Sequence, residues 1–408
     1  MPHARLAQRL AEDLRSLRDS GRAKGKETVV AGVIPAAGGQ GPRYRLDGAG
    51  DKAFLRMNSN GYLGLATDQV VMAAEEKAAR EMGTGPGAVR FISGTWAPHV
   101  ALEERLARFH GREAAMVFSS AYAAIMGVLP PLITPETAVI SDALNHNCII
   151  NAMRLARPMA KHVYKHLDLD ELEDCLNKAS ATCDRAIVVT DGIFSMRGDH
   201  APLDRIVELA RDHDDKFDEN VIVAADDSHG VGAFGKTGRG TEEYTESAPV
   251  DILVATLGKA FGVNGGYVAT GRTVIEYLRE TSPFYIYSNP ITCGEATAAL
   301  TAVDIVDSQR GRTLLDHLRA MTARFKAGLA ELSLETIPGE HPVVPLMVRD
   351  TEKTAALVQH LRNNGILATG LNFPVVPKGD EEIRFQVSAD HTEADIDEAL
   401  AVLDGWSR

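Results

Sequence analysis

Four short apolar runs constrain this 408-residue chain more than any other feature: 137–140 (TAVI), 186–190 (AIVVT), 221–225 (VIVAA) and 252–255 (ILVA). Continuous runs of this length, rich in β-branched residues, suit strands buried on both faces, as in a sheet covered by helices. Helical periodicity at 70–82, 100–110 and 203–213 punctuates the same region. The alternation predicts a parallel α/β sheet. Each run ends in polar residues: Ser141-Asp142, Asp191-Gly192, Asp226-Asp227-Ser228-His229, and Thr256 followed by Lys259. Open α/β sheets bind ligands beyond the carboxyl ends of their strands. Four such ends therefore predict one shared site.

The flanks read differently. Leu6, Leu10, Leu14 and Leu17 share one helical face, and Ser20-Gly21 ends that pattern, which predicts an amphipathic N-terminal helix. Residues 22–53 read as a linker with short strands. Beyond 290 the pattern predicts a long helix (about 291–332), strand 342–348, helix 351–364, strands 366–370 and 382–387, and helix 392–404. The expected division is 1–58 (N-terminal helix and short strands), 59–290 (large domain) and 291–408 (small α+β domain). A 45% hydrophobic content is enough for a large core. The net charge of −13 argues against nucleic acid as a partner. Cys148, Cys175, Cys183 and Cys293 form no CxxC pair and no metal-ligand spacing. They read as reduced thiols of a cytoplasmic protein with no metal site. MPHARLAQRL lacks an apolar signal core, and no run of 18 apolar residues occurs, so neither a signal peptide nor a membrane partner is expected.

Individual residues carry candidate chemistry. Lys259 follows a predicted buried strand; desolvation there lowers an amine's pKa and favours Schiff-base formation. A lone lysine in a turn is more often ordinary, and Ala260 after it excludes a P-loop. A carboxylate at Asp226 suits a protonated pyridinium nitrogen, though a helix cap or an ion pair is an equal alternative. His229 is placed to reach a phenolic oxygen and His146 to stack on a ring, although single histidines are more often packed or solvated. Ser119-Ser120-Ala121-Tyr122 follows the run AAMVF and opens a helical stretch, a place where amides bind phosphate. Gly83-Thr84-Gly85-Pro86-Gly87 is no dinucleotide fingerprint, because it follows a helix and contains proline. Arg384 suits a bidentate carboxylate contact, with a surface salt bridge as the ordinary reading.

Eight stretches occur in consistent order over roughly residues 55–404: NGYLGLA (60–66), VRFISGT (89–95), SDALNHNCII (141–150), DGIFSM (191–196), DDSHGVGAFGKTGRG (226–240), TLGKAFG (256–262), YSN (287–289) and FPVVPKG…IRFQVSADHT (373–392). Together they resemble the α-oxoamine synthase family of fold-type I pyridoxal-phosphate (PLP) enzymes, and most nearly its glycine C-acetyltransferase (2-amino-3-ketobutyrate coenzyme A ligase) branch. The resemblance implies a large domain with a mostly parallel seven-stranded sheet, a smaller C-terminal α+β domain, and a homodimer. It implies that Lys259 forms the aldimine, Asp226 pairs with the pyridine nitrogen and His146 stacks on the ring. Ser195 and His229 would bind the phenolic oxygen. The Ala121 and Tyr122 amides and Thr256 would hold the phosphate, with Ser288 reaching the other subunit's phosphate. Asn60 and Arg384 would hold the substrate carboxylate. The implied reaction is C-acylation of an amino acid, glycine first, by an acyl-CoA, acetyl-CoA first, through a quinonoid carbanion. Alternatives are a specialised synthase with another amino acid or acyl thioester, or a fold-type I aminotransferase. Ile125, Arg197, Cys148, Ala88 and Pro290 depart from the family pattern, Arg197 replacing an acid by a base.

Overall fold

A computed structural model describes residues 3–407 except 21, 24 and 374. Gly21, expected to help end the first helix, and Pro374 of the FPVVPKG stretch lie outside the described residues. The chain divides into two compact units, 60–319 and 1–59 with 320–408.

The larger unit is built on seven strands: β1 (Ala114–Phe118), β2 (Thr137–Asp142), β3 (Ala160–Tyr164), β4 (Arg185–Asp191), β5 (Val221–Asp226), β6 (Ile252–Thr256) and β7 (Gly266–Thr270). Their spatial order is β1-β7-β6-β5-β4-β2-β3. β2 to β6 pair in parallel, and only β7 runs antiparallel to its neighbours β6 and β1. All four apolar runs became central strands. Successive residues point to opposite faces, so each run feeds two cores. Ile140, Val188, Val223 and Leu253 enter one cluster. Val139, Val189, Ala224 and Val254 enter the other. The helices form at Gln69–Met82, Ala97–Phe109 and Leu203–His213, as the periodicity predicted.

The expected single helix over 291–332 is two, Cys293–Val306 and Gln309–Glu331. The first starts with a reciprocal capping box between Thr292 and Glu295, which satisfies two otherwise unpaired amides. It packs on Gln69–Met82 and Ala97–Phe109. That contact puts it in the larger unit, which runs to Arg319.

The smaller unit joins the chain's two ends. Val30–Ile34, Arg43–Leu46, Ala53–Arg56 and Ile366–Leu367 form one sheet; Val343–Met347, Glu382–Gln386 and Thr369–Leu371 form another. The single strand expected at 366–370 is broken because Ile366–Leu367 pairs with Ala53–Arg56 while Thr369–Leu371 pairs with Glu382–Gln386. Asp395, fully buried, accepts from Arg43 Nη2 (2.7 Å), Gly41 N (2.8 Å) and Thr392 N (2.8 Å). This carboxylate fastens the N-terminal segment to the last helix. The N-terminal helix spans Ala4–Asp19 and buries none of its residues.

Candidate active site

The carboxyl ends of the parallel strands and the turns beside them enclose a cavity of 250 Å³. Its first wall is the turn after β1. Ser120 caps the helix Ala121–Leu132, accepting the Ala123 amide at 3.0 Å. Ala121 and Tyr122 are the first two residues of that helix, so their amides have no carbonyl within it to serve. With the helix dipole they form an anion site. Gly266 of β7 makes the turn possible: a Cβ there would lie 2.1 Å from Ala121 N.

The second wall follows β2. Asn145 staples it: Nδ2 donates to Ser141 Oγ and Val189 O, and Oδ1 accepts Asp191 N, each at 2.8 Å. His146, next in sequence, donates its amide to Asp191 Oδ2 at 3.1 Å. Its ring Nδ1 lies 2.9 Å from Cys148 Sγ. Burial, opposed by Asp226 and aided by Lys259, lowers the His146 pKa, so the imidazole is neutral near pH 7.

The floor holds two carboxyls in register on adjacent strands, Asp191 and Asp226. Burial, then the charge of Asp226, push Asp191 well above the usual carboxylate range. Asp226 Oδ1 accepts Ser228 N at 3.1 Å, and Oδ2 accepts the Cys148 thiol at 3.6 Å. Asp191 Oδ1 and Ser228 Oγ are buried without a hydrogen-bond partner, polar atoms of the cavity wall that a bound polar group would satisfy. His229 also lines the cavity. Its Nδ1 is 2.7 Å from the Tyr62 hydroxyl, which reaches Asn60 Oδ1 at 3.4 Å. Thr256 Oγ1 donates to Gly265 O and accepts Gly258 N, both at 3.1 Å, which shapes the turn to Lys259.

Lys259, His146, Asp226, His229, Ala121, Tyr122, Ser195 and Thr256 therefore meet at one cavity. Asn60 lies outside it, connected through Tyr62 and His229. Ser288 is half-buried in the bend after the helix Pro283–Ile286 and does not line it. Arg384 belongs to the smaller unit, on Glu382–Gln386 opposite Pro345 and Thr369. Residue reasoning missed Tyr62, Ser228 and the role of Asp191. Asp191 and Ser228 carried a signal as polar strand ends; Tyr62 lay inside a family stretch with no role attached. Of the departures, Ile125 is buried in a core cluster and Arg197 pairs with Asp199. Among the described residues no group of three or more His, Cys, Asp or Glu side chains could hold a metal, and no helix is long and apolar enough to cross a membrane.

The donor set fits PLP: free helix-start amides for a phosphate, a carboxylate for a pyridine nitrogen, an amine, and unsatisfied polar atoms. The chain matches the family described as "Aminotransferase class I and II" over residues 52–403. It is 41% identical to an 8-amino-7-oxononanoate synthase of Symbiobacterium thermophilum over 363 residues, 89% of this chain and 90% of that one. It is 37% identical to the enzyme of that name from Petrotoga mobilis over 396 residues, 97% and 96% of the two chains. Among solved structures it resembles the Sphingomonas wittichii serine palmitoyltransferase, with TM-score 0.87 and 25% identity over 99% of this chain and 97% of that one. A cavity of this composition on a chain with these relatives leads to one assignment: the chain belongs to the α-oxoamine synthases, PLP-dependent acyltransferases within the class I and II aminotransferase family.

Proposed function

We propose that this enzyme joins the α-carbon of alanine to a pimeloyl thioester at the Lys259 cavity, releasing the thiol and the alanine carboxylate as carbon dioxide. The observation that carries the reaction type is the convergence of Lys259, Asp226, His146 and the Ala121–Tyr122 amides on one cavity. The substrate pair rests on the names of the curated relatives. Bound PLP supplies an aldehyde for the amine and a ring that withdraws electrons from the α-carbon. The Ala121 and Tyr122 amides hold its phosphate. Asp226 keeps a proton on the pyridine nitrogen, and the Cys148 thiol and Ser228 amide hold that carboxylate in place. The neutral His146 ring covers one face of the cofactor. Ser195 and His229 bind the phenolic oxygen, with Tyr62 orienting His229. Lys259 supplies the amine that anchors the cofactor and carries the α-proton of the amino acid. Asn60 and Arg384 bind the substrate carboxylate, and Ser288 serves the phosphate site of the partner subunit in a homodimer. The four cysteines are unpaired, in keeping with the reducing cytoplasm.

A second reading, glycine with acetyl-CoA, is favoured by the sequence stretches shared with glycine C-acetyltransferase. Measuring thiol release over a matrix of amino acids and acyl thioesters separates the two. Release with alanine and pimeloyl thioester, several-fold above glycine with acetyl-CoA, is the expected result; the reverse order establishes the second reading. Amino transfer to a keto acid without thiol release would overturn both.

A further inference from the structure

A half-buried charge cluster beside the Ser195 turn, with Asp142 at its buried end, has no part in the roles above. His166, just past β3, points both ring nitrogens at carboxylates. Nδ1 lies 3.1 and 3.2 Å from the two oxygens of Asp142, and Nε2 lies 3.2 Å from Asp199 Oδ2. Carboxylate oxygens only accept, so both nitrogens donate, which an imidazole does only when protonated. Arg197 Nε donates to the same Asp199 oxygen at 2.7 Å. The ring meets Phe194 edge-on, with centroids 4.3 Å apart.

Each carboxylate begins or closes a loop of the cavity. Asp142 ends β2 and accepts Leu144 N (2.8 Å) and Leu167 N (3.0 Å), directly before Asn145 and His146. Asp199 closes the turn that carries Ser195, where Phe194 N donates to Asp199 O at 3.0 Å and Gly198 N to Phe194 O at 2.8 Å.

We propose that His166 is a positioning residue, a charged clamp between Asp142 and Asp199 that sets the Ser195 turn against the His146 loop, with Arg197 balancing Asp199. The proposal rests on the reading above only in giving Ser195 and His146 to the cofactor. The cluster holds two positive and two negative groups, so no buried charge is left uncompensated. It accounts for Arg197: the acid of the family pattern would put a third carboxylate beside Asp199. Burial lowers the His166 pKa, but the hydrogen bonds to Asp142 and Asp199 outweigh it and raise the value to about 9. Tyr164, buried on β3 near Asp142, has its hydroxyl pushed far up by burial and by that carboxylate, and stays neutral. A folded pKa above the ordinary 6.5 means the clamp is complete below 6.5 and is lost as pH rises through about 9.

Two measurements test it. The first follows the His166 imidazole by NMR through a pH titration of the full chain without cofactor. Wild type should titrate near 9, and D199N should move the midpoint down by about a unit or more. The second titrates PLP into wild type and H166Q and reads the bound-cofactor absorbance against pH. H166Q should bind about tenfold more weakly at neutral pH and lose the affinity step that wild type shows at alkaline pH. An unmoved midpoint in D199N, or wild-type affinity and pH profile in H166Q, would overturn the proposal. If wild type binds no PLP, the functional reading fails, and the NMR titration alone decides the clamp.

Discussion

At the scale of single residues, burial denies several carboxyls in and beside the site their usual charge. Asp227, next to Asp226, is the clearest case. It is completely buried and accepts Thr241 N and Thr241 Oγ1, each at 2.7 Å. Burial, partly offset by those bonds, raises its pKa from 3.8 to about 7. A raised carboxyl pKa means the folded state binds the extra proton, so stability falls as pH rises from 3.8 to about 7. The loss amounts to on the order of 4 kcal/mol. D227N should flatten that slope in urea unfolding across this window, and an unchanged slope would refute the assignment. A second expectation concerns the thiols: all four cysteines are buried, so a thiol reagent should leave the native protein unlabelled and react fully once it is denatured. At this scale the sequence exposed the residues that end strands, Asp226 and Lys259 among them. It did not expose Tyr62, because its partner His229 is 167 positions away and nothing local marks such a pair.

At the scale of elements, short staples hold the strand ends in place. Asn145 is the strongest: from the turn after β2 its side chain ties Ser141 Oγ of that strand to Val189 O and Asp191 N of β4. N145A leaves several buried groups unsatisfied and should cost roughly 2–5 kcal/mol. Because His146 and Asp191 sit on that staple, PLP affinity should fall with it; thermal unfolding and a cofactor titration read the two losses. G266A tests the phosphate turn separately: its Cβ would collide with Ala121 N and Ser120 C, at 2.1 and 2.4 Å. It should weaken cofactor binding, and wild-type affinity would count against the turn as the phosphate site. The central strands were legible because double-sided burial leaves continuous apolar runs. The change of sheets between Leu367 and Thr369 was not, since pairing partners far along the chain decide it; the break at Asp307-Ser308 is marked locally, by Ser308 Oγ accepting Arg310 N at 3.1 Å, and the continuous helical pattern on both sides hid it.

At the scale of the whole molecule, the resemblance named the family and the sheet correctly, while the unit boundary depended on which helices pack together, a property no local pattern carries. The expected homodimer makes a distinct prediction. If Ser288 serves the partner's site, co-expressed K259A and S288D chains should recover about a quarter of wild-type activity, because each mixed dimer keeps one complete site. Recovery of nothing would place Ser288 in its own subunit's site. Every role proposed for the cavity depends on Lys259 as the residue that binds the cofactor covalently. Borohydride reduction of the PLP-loaded protein, followed by peptide mass spectrometry, should find the pyridoxyl group on Lys259 alone; a group on another lysine, or none on any, would contradict it.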